Sequence, residues 1–213
     1  MPHFDAAQKK VLIALTIYLA SLFAANTLGL KIAPFILGFH VSVAVFSFPF
    51  VFLTTDVIGE IYGKPMARFF VRCGFLATAL FLLYSLISIS LPWAEAGLWA
   101  KESYEQIFGV SMRIALASLV AFAVAEFQDV HAFFFVKKKI GEKLFWLRSL
   151  LSNVWSQFLD SALFMLIAFY GVYSNAALLR IIITWWLFKV MMGLLYTPLS
   201  YLALKLLREK PAA

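Results

Sequence analysis

Six stretches of this chain, residues 11–30, 40–61, 69–91, 112–135, 146–171 and 177–204, are almost uninterrupted apolar runs. A helix that crosses the hydrocarbon of a bilayer needs about 20 mostly apolar residues. Its backbone must also satisfy its own hydrogen bonds, because no water is there to do so. The expected fold is therefore an all-α integral membrane protein with six transmembrane helices. No fixed-period repeat, low-complexity tract or soluble insert separates the runs, so residues 1–213 read as one domain. The runs are continuous rather than alternating, which argues against a closed β-barrel. The first is too long and too poorly flanked for a signal peptide, so it is expected to be retained.

Composition agrees. Hydrophobic residues make up 63% of the chain and charged residues 14%, against roughly 45–50% and 25% in soluble domains. That leaves too little polar material for a water-facing surface. Twenty-three Phe exclude disorder, and a single cysteine, Cys73, excludes a disulfide scaffold. The net charge of +7 would suggest a nucleic-acid partner in a soluble protein. Here its distribution gives a different account, and no nucleic acid is expected. Thirteen of the eighteen Lys and Arg fall on one face: Lys9 and Lys10; Lys64, Arg68 and Arg72; Lys137, Lys138, Lys139, Lys143 and Arg148; Lys205, Arg208 and Lys210. The other face has Lys31, Lys101, Arg113 and Arg180, while Lys189 lies inside a span. Basic residues are retained on the cytoplasmic side, so both termini are expected there. The 92–110 connection, with Pro92, Trp93, Trp99 and Tyr104, reads as an outer interfacial cap.

Against this apolar background the polar residues within spans carry the information. An ionisable group at such a depth costs roughly 2.5–3.5 kcal/mol on insertion scales and by default faces the bundle interior or a wet cavity. The second span has Asp56 and Glu60 at i,i+4, on one helical face. Glu126, Gln128, Asp129 and His131 cluster toward the end of the fourth. The fifth carries Asn153, Gln157 and Asp160 at i, i+4 and i+7, a stripe that Ser149 and Phe164 extend. Lys189 lies in the sixth, with Trp185 one turn before it and Tyr196 two turns after, and Asn26 ends the first. Asp160 and Lys189 are both near the middle of their spans, so adjacent antiparallel helices would set them at one height, where an opposite pair is favoured. A structural ion pair is the plain alternative, but a whole polar stripe exceeds what one lock needs. Glu60 lies close to Lys64 and Glu126, Asp129 and His131 close to the Lys137–Lys139 run, so an interfacial role is their plain reading. Three scattered His give no metal-ligand spacing, and no Gly-rich nucleotide loop is present. No metal, cofactor or ATP hydrolysis by the chain itself is expected. The spacings Ala20-x3-Ala24 and Ala117-x3-Ala121-x3-Ala125 are ordinary helix-packing ridges.

Carboxylates, carboxamides, one Lys and the aromatics Phe46, Phe48, Phe50 and Phe52 make a mixed lining. Ion pathways rely on oxygen ligands or charged rings. A planar heterocycle suits the mixture better, stacked on aromatic faces and fixed at its edge by hydrogen bonds. One carboxylate accepts the adjacent N–H donors of a guanine-like edge.

Along nearly its whole length the sequence resembles the queuosine precursor transporter family, also called the vitamin uptake transporters. The resemblance rests on Leu37-Gly38-Phe39-His40, Phe46-Ser47-Phe48-Pro49-Phe50, Thr55-Asp56 and Tyr62-Gly63. Gln128-Asp129-Val130-His131, Asn153-x3-Gln157-x2-Asp160-Ser161, and Lys189 with Pro198 extend it, and Asn26 falls where the family ends its first span with Asn. It implies uptake of the 7-deazaguanine precursors of queuosine, the 7-cyano and 7-aminomethyl forms, across the inner membrane, with no enzymatic activity. The expected substrate-binding residues are Asn26, Phe48, Asp56, Asn153, Gln157, Asp160 and Lys189. Asp160 would accept the guanine-type edge, Gln157 and Asn153 complete it, Lys189 orient Asp160 or donate to the ring carbonyl, and Phe48 stack on the ring. Glu60, Gln128 and Asp129 are candidates for a gate or for proton coupling. Six spans are few for a carrier acting alone, which leaves room for a homodimer. A different reading is a substrate-capturing membrane subunit of an ATP-driven vitamin importer, for which the Ala20-x3-Ala24 ridge is the pointer. An intramembrane enzyme would need a nucleophile with its base, and Ser161 beside Asp160 has no His at its depth.

Overall fold

The computed structural model describes residues 5–29, 31–34, 40–108 and 112–207. The Leu37-Gly38-Phe39 part of the family motif, and Arg208 and Lys210, lie outside the described residues. Among the described residues there are seven α-helices: α1 (Ala6–Leu28), α2 (Phe48–Tyr62), α3 (Lys64–Ser90), α4 (Lys101–Phe108), α5 (Met112–Ile140), α6 (Phe145–Phe169) and α7 (Asn175–Leu207). Five of them, α1, α3, α5, α6 and α7, are long and apolar enough to cross a membrane. Leu12, Ile13 and Ile17 on α1, Leu76, Leu83 and Tyr84 on α3, and Leu195, Leu202 and Leu206 on α7 are exposed. An apolar exterior of this kind is what a lipid solvent permits.

The second apolar run, 40–61, departs from the expected continuous helix. Its beginning pairs instead with the chain after α1. Strands β1 (Ile32–Pro34) and β2 (His40–Ser42) form an antiparallel hairpin, followed by a 3₁₀ turn at Val43–Phe46. Only Phe48–Tyr62 is α-helical, 15 residues, or about 22 Å at the usual rise, shorter than a hydrocarbon core of about 30 Å. The physical cause is local. Pro49 lacks the N–H a preceding helical turn would use, so it is favoured at a helix start, and the first turn of α2 is where it stands. At the other end Gly63 takes φ +82°, where a side chain is disfavoured, and turns the chain at once into Lys64-Pro65 of α3.

Contacts between helix ends fix which ends share a side. Lys10 Nζ donates to Leu207 O (3.3 Å), joining the start of α1 to the end of α7. The end of α2 meets the end of α5 and the start of α6 through Glu60, Lys137 and Arg148. Trp146 N donates to Tyr201 Oη (3.2 Å), and Arg68 meets His131 (2.7 Å). Beyond the other end of α3 follow the 3₁₀ turn Glu95–Ala100 and α4, where Trp93 Nε1 donates to Glu105 (3.1 Å) and Ser88 bonds Tyr104.

Arg148, counted from the sequence with a loop, is instead in the first turn of α6 and wholly buried. Its Nη2 holds Glu60 Oε1 at 2.8 Å and its Nη1 donates to Gly141 O (3.1 Å), while its guanidinium lies over the rings of Phe133 and Phe145. Lys137 Nζ takes the other Glu60 oxygen at 3.0 Å. Removing one member of a buried pair strands the other, at a cost of about 3–5 kcal/mol. Glu60→Ala, which orphans the sealed Arg148, should therefore lower the thermal midpoint in detergent far more than Lys137→Ala, whose ammonium is partly exposed. Equal, small shifts for the two variants would contradict this role.

Close approach of α1, α3 and α5 depends on Gly74. A Cβ built there would lie 2.6 Å from Tyr18 Oη, 2.8 Å from its Cε1 and 3.0 Å from Phe122 Cζ. Gly74→Ala should destabilise by about 1–3 kcal/mol through overpacking, and Tyr18→Leu in the same chain should recover part of it. Strictly additive losses in that double-mutant cycle would show that the two side chains do not meet.

Candidate functional site

The polar face of α6 is built by its spacing. Ser149, Ser152, Asn153, Ser156, Gln157 and Ser161 recur at intervals of three and four residues, so they form one stripe, and all six are buried. Ser149 and Asn153 reach α2, and Ser156 reaches α5. The Ser149 hydroxyl donates to Asp56 Oδ2, and Asn153 Nδ2 donates to the same oxygen at 3.4 Å. Ser156 Oγ donates to Asp129 Oδ1 at 2.8 Å. From α1, Tyr18 Oη donates to Glu126 Oε2 at 3.3 Å. Asp56 is 2% exposed and Glu126 and Asp129 are 0%, so three carboxyl groups from α2 and α5 sit in one buried layer.

Toward the opposite end of the bundle from Arg148, a second cluster joins three elements. Lys189 Nζ of α7 bonds Asp160 Oδ2 of α6 at 2.5 Å. The same ammonium lies 4.7 Å from the centroid of the Phe48 ring, within cation–π range. Phe48 begins α2, and its ring meets Phe52 edge-on at 5.3 Å. Asp160 and Lys189 are only part-buried, at 13% and 24% of their side-chain surface, unlike the sealed trio. The two aromatic pairs divide by helix face. Phe48 and Phe52 turn inward, whereas Phe50 packs edge-on against Tyr196 of α7 at 5.2 Å and Tyr196 Oη donates to Phe46 O (3.3 Å).

Of the residues singled out from the sequence, the structure brings Asp56, Asn153 and Asp129 into one hydrogen-bonded layer with α6, and Phe48, Asp160 and Lys189 into the other cluster. Gln157 is buried on the same stripe, its Oε1 without a hydrogen-bond partner in the protein. Glu60 stands apart, tied to Arg148 and Lys137. Asn26 and Gln128 are exposed, and the Asn26 amide donates to its own helix at Leu22 O (3.0 Å). Trp186 of α7 packs on α6, its Nε1 donating to Val154 O (2.8 Å) and its ring meeting Phe158 edge-on. Tyr18, Ser152 and Ser156 were not foreseen. A lone Tyr in an apolar run and serines in a helix are common, and their partners are distant in sequence. Among the described residues no group of three His, Cys, Asp or Glu is arranged to hold a metal ion. A surface groove lined by Trp146, Leu194, Thr197, Pro198 and Tyr201 includes none of these side chains.

What holds α2 against α6 is largely this polar set. α5 and α6 pack along most of their length, but α2 touches α6 at few points. Glu60–Arg148, Asp56–Ser149 and Asp56–Asn153 are the bonds that cross that gap. α2 is held more broadly by α1, α3 and α7, and with Val57 and Phe145 sharing an apolar cluster these polar bonds set how it approaches α6.

The family model described as "Putative vitamin uptake transporter" matches residues 42–203. Three curated proteins are similar. The "Probable queuosine precursor transporter" of Bacillus subtilis (strain 168) is 33% identical over 158 residues, 74% of this chain and 69% of that protein. The "Queuosine precursor transporter" of Escherichia coli (strain K12) is 33% identical over 135 residues, 63% and 58% respectively. The "Probable queuosine precursor transporter" of Haemophilus influenzae is 30% identical over 156 residues, 73% and 60%. The matched segment thus spans about three-fifths to two-thirds of these relatives' own lengths. No solved structure matches significantly. The reading as a subunit of an ATP-driven importer finds no counterpart in these names. With the match running from before Phe48 to beyond Lys189, the chain belongs to this vitamin uptake transporter family, a family of membrane transporters and not of enzymes.

Proposed function

We propose that the chain imports 7-deazaguanine precursors of queuosine across the inner membrane, with the cyano and aminomethyl forms as the substrates. The names of its relatives support the substrate class. The observation that carries the site is the cluster of Phe48, Lys189 and Asp160, where an aromatic face, a cation and a carboxylate meet within one ring's reach.

A flat guanine-like base has needs that match these three groups. Its ring takes the place of the Lys189 ammonium over Phe48, since stacking on an aromatic face is tolerant of ring chemistry. Its adjacent N–H donors lie against Asp160, a carboxylate able to accept both. Lys189, drawn off the ring, donates to the ring carbonyl. Gln157, with a buried acceptor lacking a partner, and Asn153 continue the edge contacts along α6. Below them Asp56 and Asp129 line the path onward, and Glu60 with Arg148 and Lys137 closes its end as a gate. Asn26 and Gln128 stand outside this pocket. Parting of α2 from α6 opens the path, because few bonds join them.

In this reading the short α2 completes a sixth crossing, its missing length supplied by the hairpin and 3₁₀ turn. The two termini then share the cytoplasmic side with the basic-rich helix ends, and a homodimer buttresses the small bundle.

Hydrogen bonds to a charged group are worth about 1.5–3 kcal/mol, or roughly a tenfold to hundredfold change in affinity. Asp160→Asn should therefore lower uptake of labelled precursor at subsaturating concentration by at least about tenfold, while Asn26→Ala and Gln128→Ala leave it near normal at equal membrane abundance. Near-normal uptake by correctly inserted Asp160→Asn would overturn the site.

A further inference from the structure

The sealed layer beneath the proposed pocket has a charge problem that the rest of the molecule does not share. Every other acidic side chain buried in the bundle has a cation: Glu60 has Arg148 and Lys137, and Asp160 has Lys189. Asp56, Glu126 and Asp129 have none among the described residues. The groups that face them are named from each packed element. α1 presents Tyr18, with Cys73 of α3 beyond it. α6 presents Ser149, Asn153, Ser156 and, further off, Asp160. Lys189 of α7 is committed to Asp160, Arg148 to Glu60, and His131 with Arg68 lies on an exposed face. Asp56 and Asp129 are near enough to interact, as are Glu126 and Asp129.

Three like charges cannot all be ionised in one buried cluster, because each disfavours the next and burial disfavours them all. The hydrogen bonds indicate where protons reside. Asp56 Oδ2 already accepts from Ser149 and Asn153, and the Asp56 and Asp129 carboxyls are hydrogen-bonding neighbours, which requires a proton between them. Glu126 Oε1 and Asp129 Oδ2 are buried oxygens that no hydroxyl or N–H donor reaches, and Gln157 adds a third such acceptor, Oε1, from the α6 stripe. The local shortage is of donors. A proton on each of two carboxyls remedies it without a metal, for which the residues present offer no ligand set.

We propose that Asp56, Glu126 and Asp129 form a proton-carrying site that couples substrate import to inward proton movement. In the closed bundle Glu126 holds one proton at Oε1 and the adjoining Asp56 and Asp129 carboxyls share a second. When α2 parts from α6, Asp56 loses Ser149 and Asn153, the layer meets water, and the carboxyls ionise. The released protons leave past Ser149 and the neighbouring Glu60–Arg148 pair, one helical turn from Asp56. A site whose proton affinity differs between two conformations is linked to the ligand that selects between them. The inference rests on the import reading for its direction and its substrate, but the protonation itself does not.

Two measurements on the full chain test it. The first is infrared spectroscopy of the lipid-reconstituted protein at neutral pH. It should show the C=O band of protonated carboxyl groups, shifted by carbon-13 labelling of Asp and Glu and weakened in Glu126→Gln. Absence of that band in the unsubstituted protein overturns the proposal without any variant. The second is uptake into proteoliposomes at zero membrane potential. With the outside acidic by one pH unit, labelled precursor should accumulate above equilibrium, to a limit of about tenfold per proton carried. Counterflow exchange without accumulation overturns the coupling and leaves the import reading standing. Absence of exchange under any gradient overturns the import reading itself.

Discussion

A carboxyl group inside a membrane protein must find a partner or give up its charge, and most of this bundle's polar architecture follows from that constraint. Dispersion and shape hold the apolar helices together, as lipid offers no hydrophobic drive between them. The long polar stripe of α6 is therefore where specific direction enters. It fixes α2 through Asp56 and α5 through Asp129. The same helix begins with the buried Arg148, which anchors the end of α2 through Glu60, and it carries Asp160, which fixes Lys189 of α7. Only α1 reaches the layer from elsewhere, through Tyr18 over Gly74.

The two polar levels differ in how they meet the constraint. The Asp160–Lys189 pair is part-exposed and stabilised as ions against Phe48, the condition in which a ligand can compete for both partners. The trio beneath is sealed and lacks a cation, the condition in which protonation and conformation become linked. Placing the first on the α2 start and the second about two turns further along makes the short helix part of both. Its few points of contact with α6 make that junction the place where the proposed route opens.

Five long helices were legible in the sequence because bilayer thickness imposes run length, and run length is read directly from apolar residues. Residues 40–61 were not, since a short apolar run does not distinguish strand, 3₁₀ turn and helix. Ser47 and Pro49, which mark the true helix start, sit inside an otherwise unbroken run of hydrophobic residues. The stripe at Asn153, Gln157 and Asp160 was visible by its spacing alone. Arg148 was misplaced because nearness in sequence to a basic loop says nothing about burial, and its partner Glu60 is 88 residues away. Tyr18 escaped for the same reason, its partner Glu126 being 108 residues distant. Contacts of that separation are set by packing, which no local pattern encodes.

The central claim is that the buried face of α6 lines a route that opens to water and to substrate. Its most direct test is thiol accessibility in a Cys73→Ala background, with Ser156→Cys on the buried face and Leu151→Cys on the lipid-exposed face of the same helix. A small, charged, membrane-impermeant thiol reagent should modify Ser156→Cys in membranes, precursor should slow that modification, and Leu151→Cys should stay unreactive. Equal inertness of both positions under all conditions would mean that the polar stripe never meets water, and the account would fail.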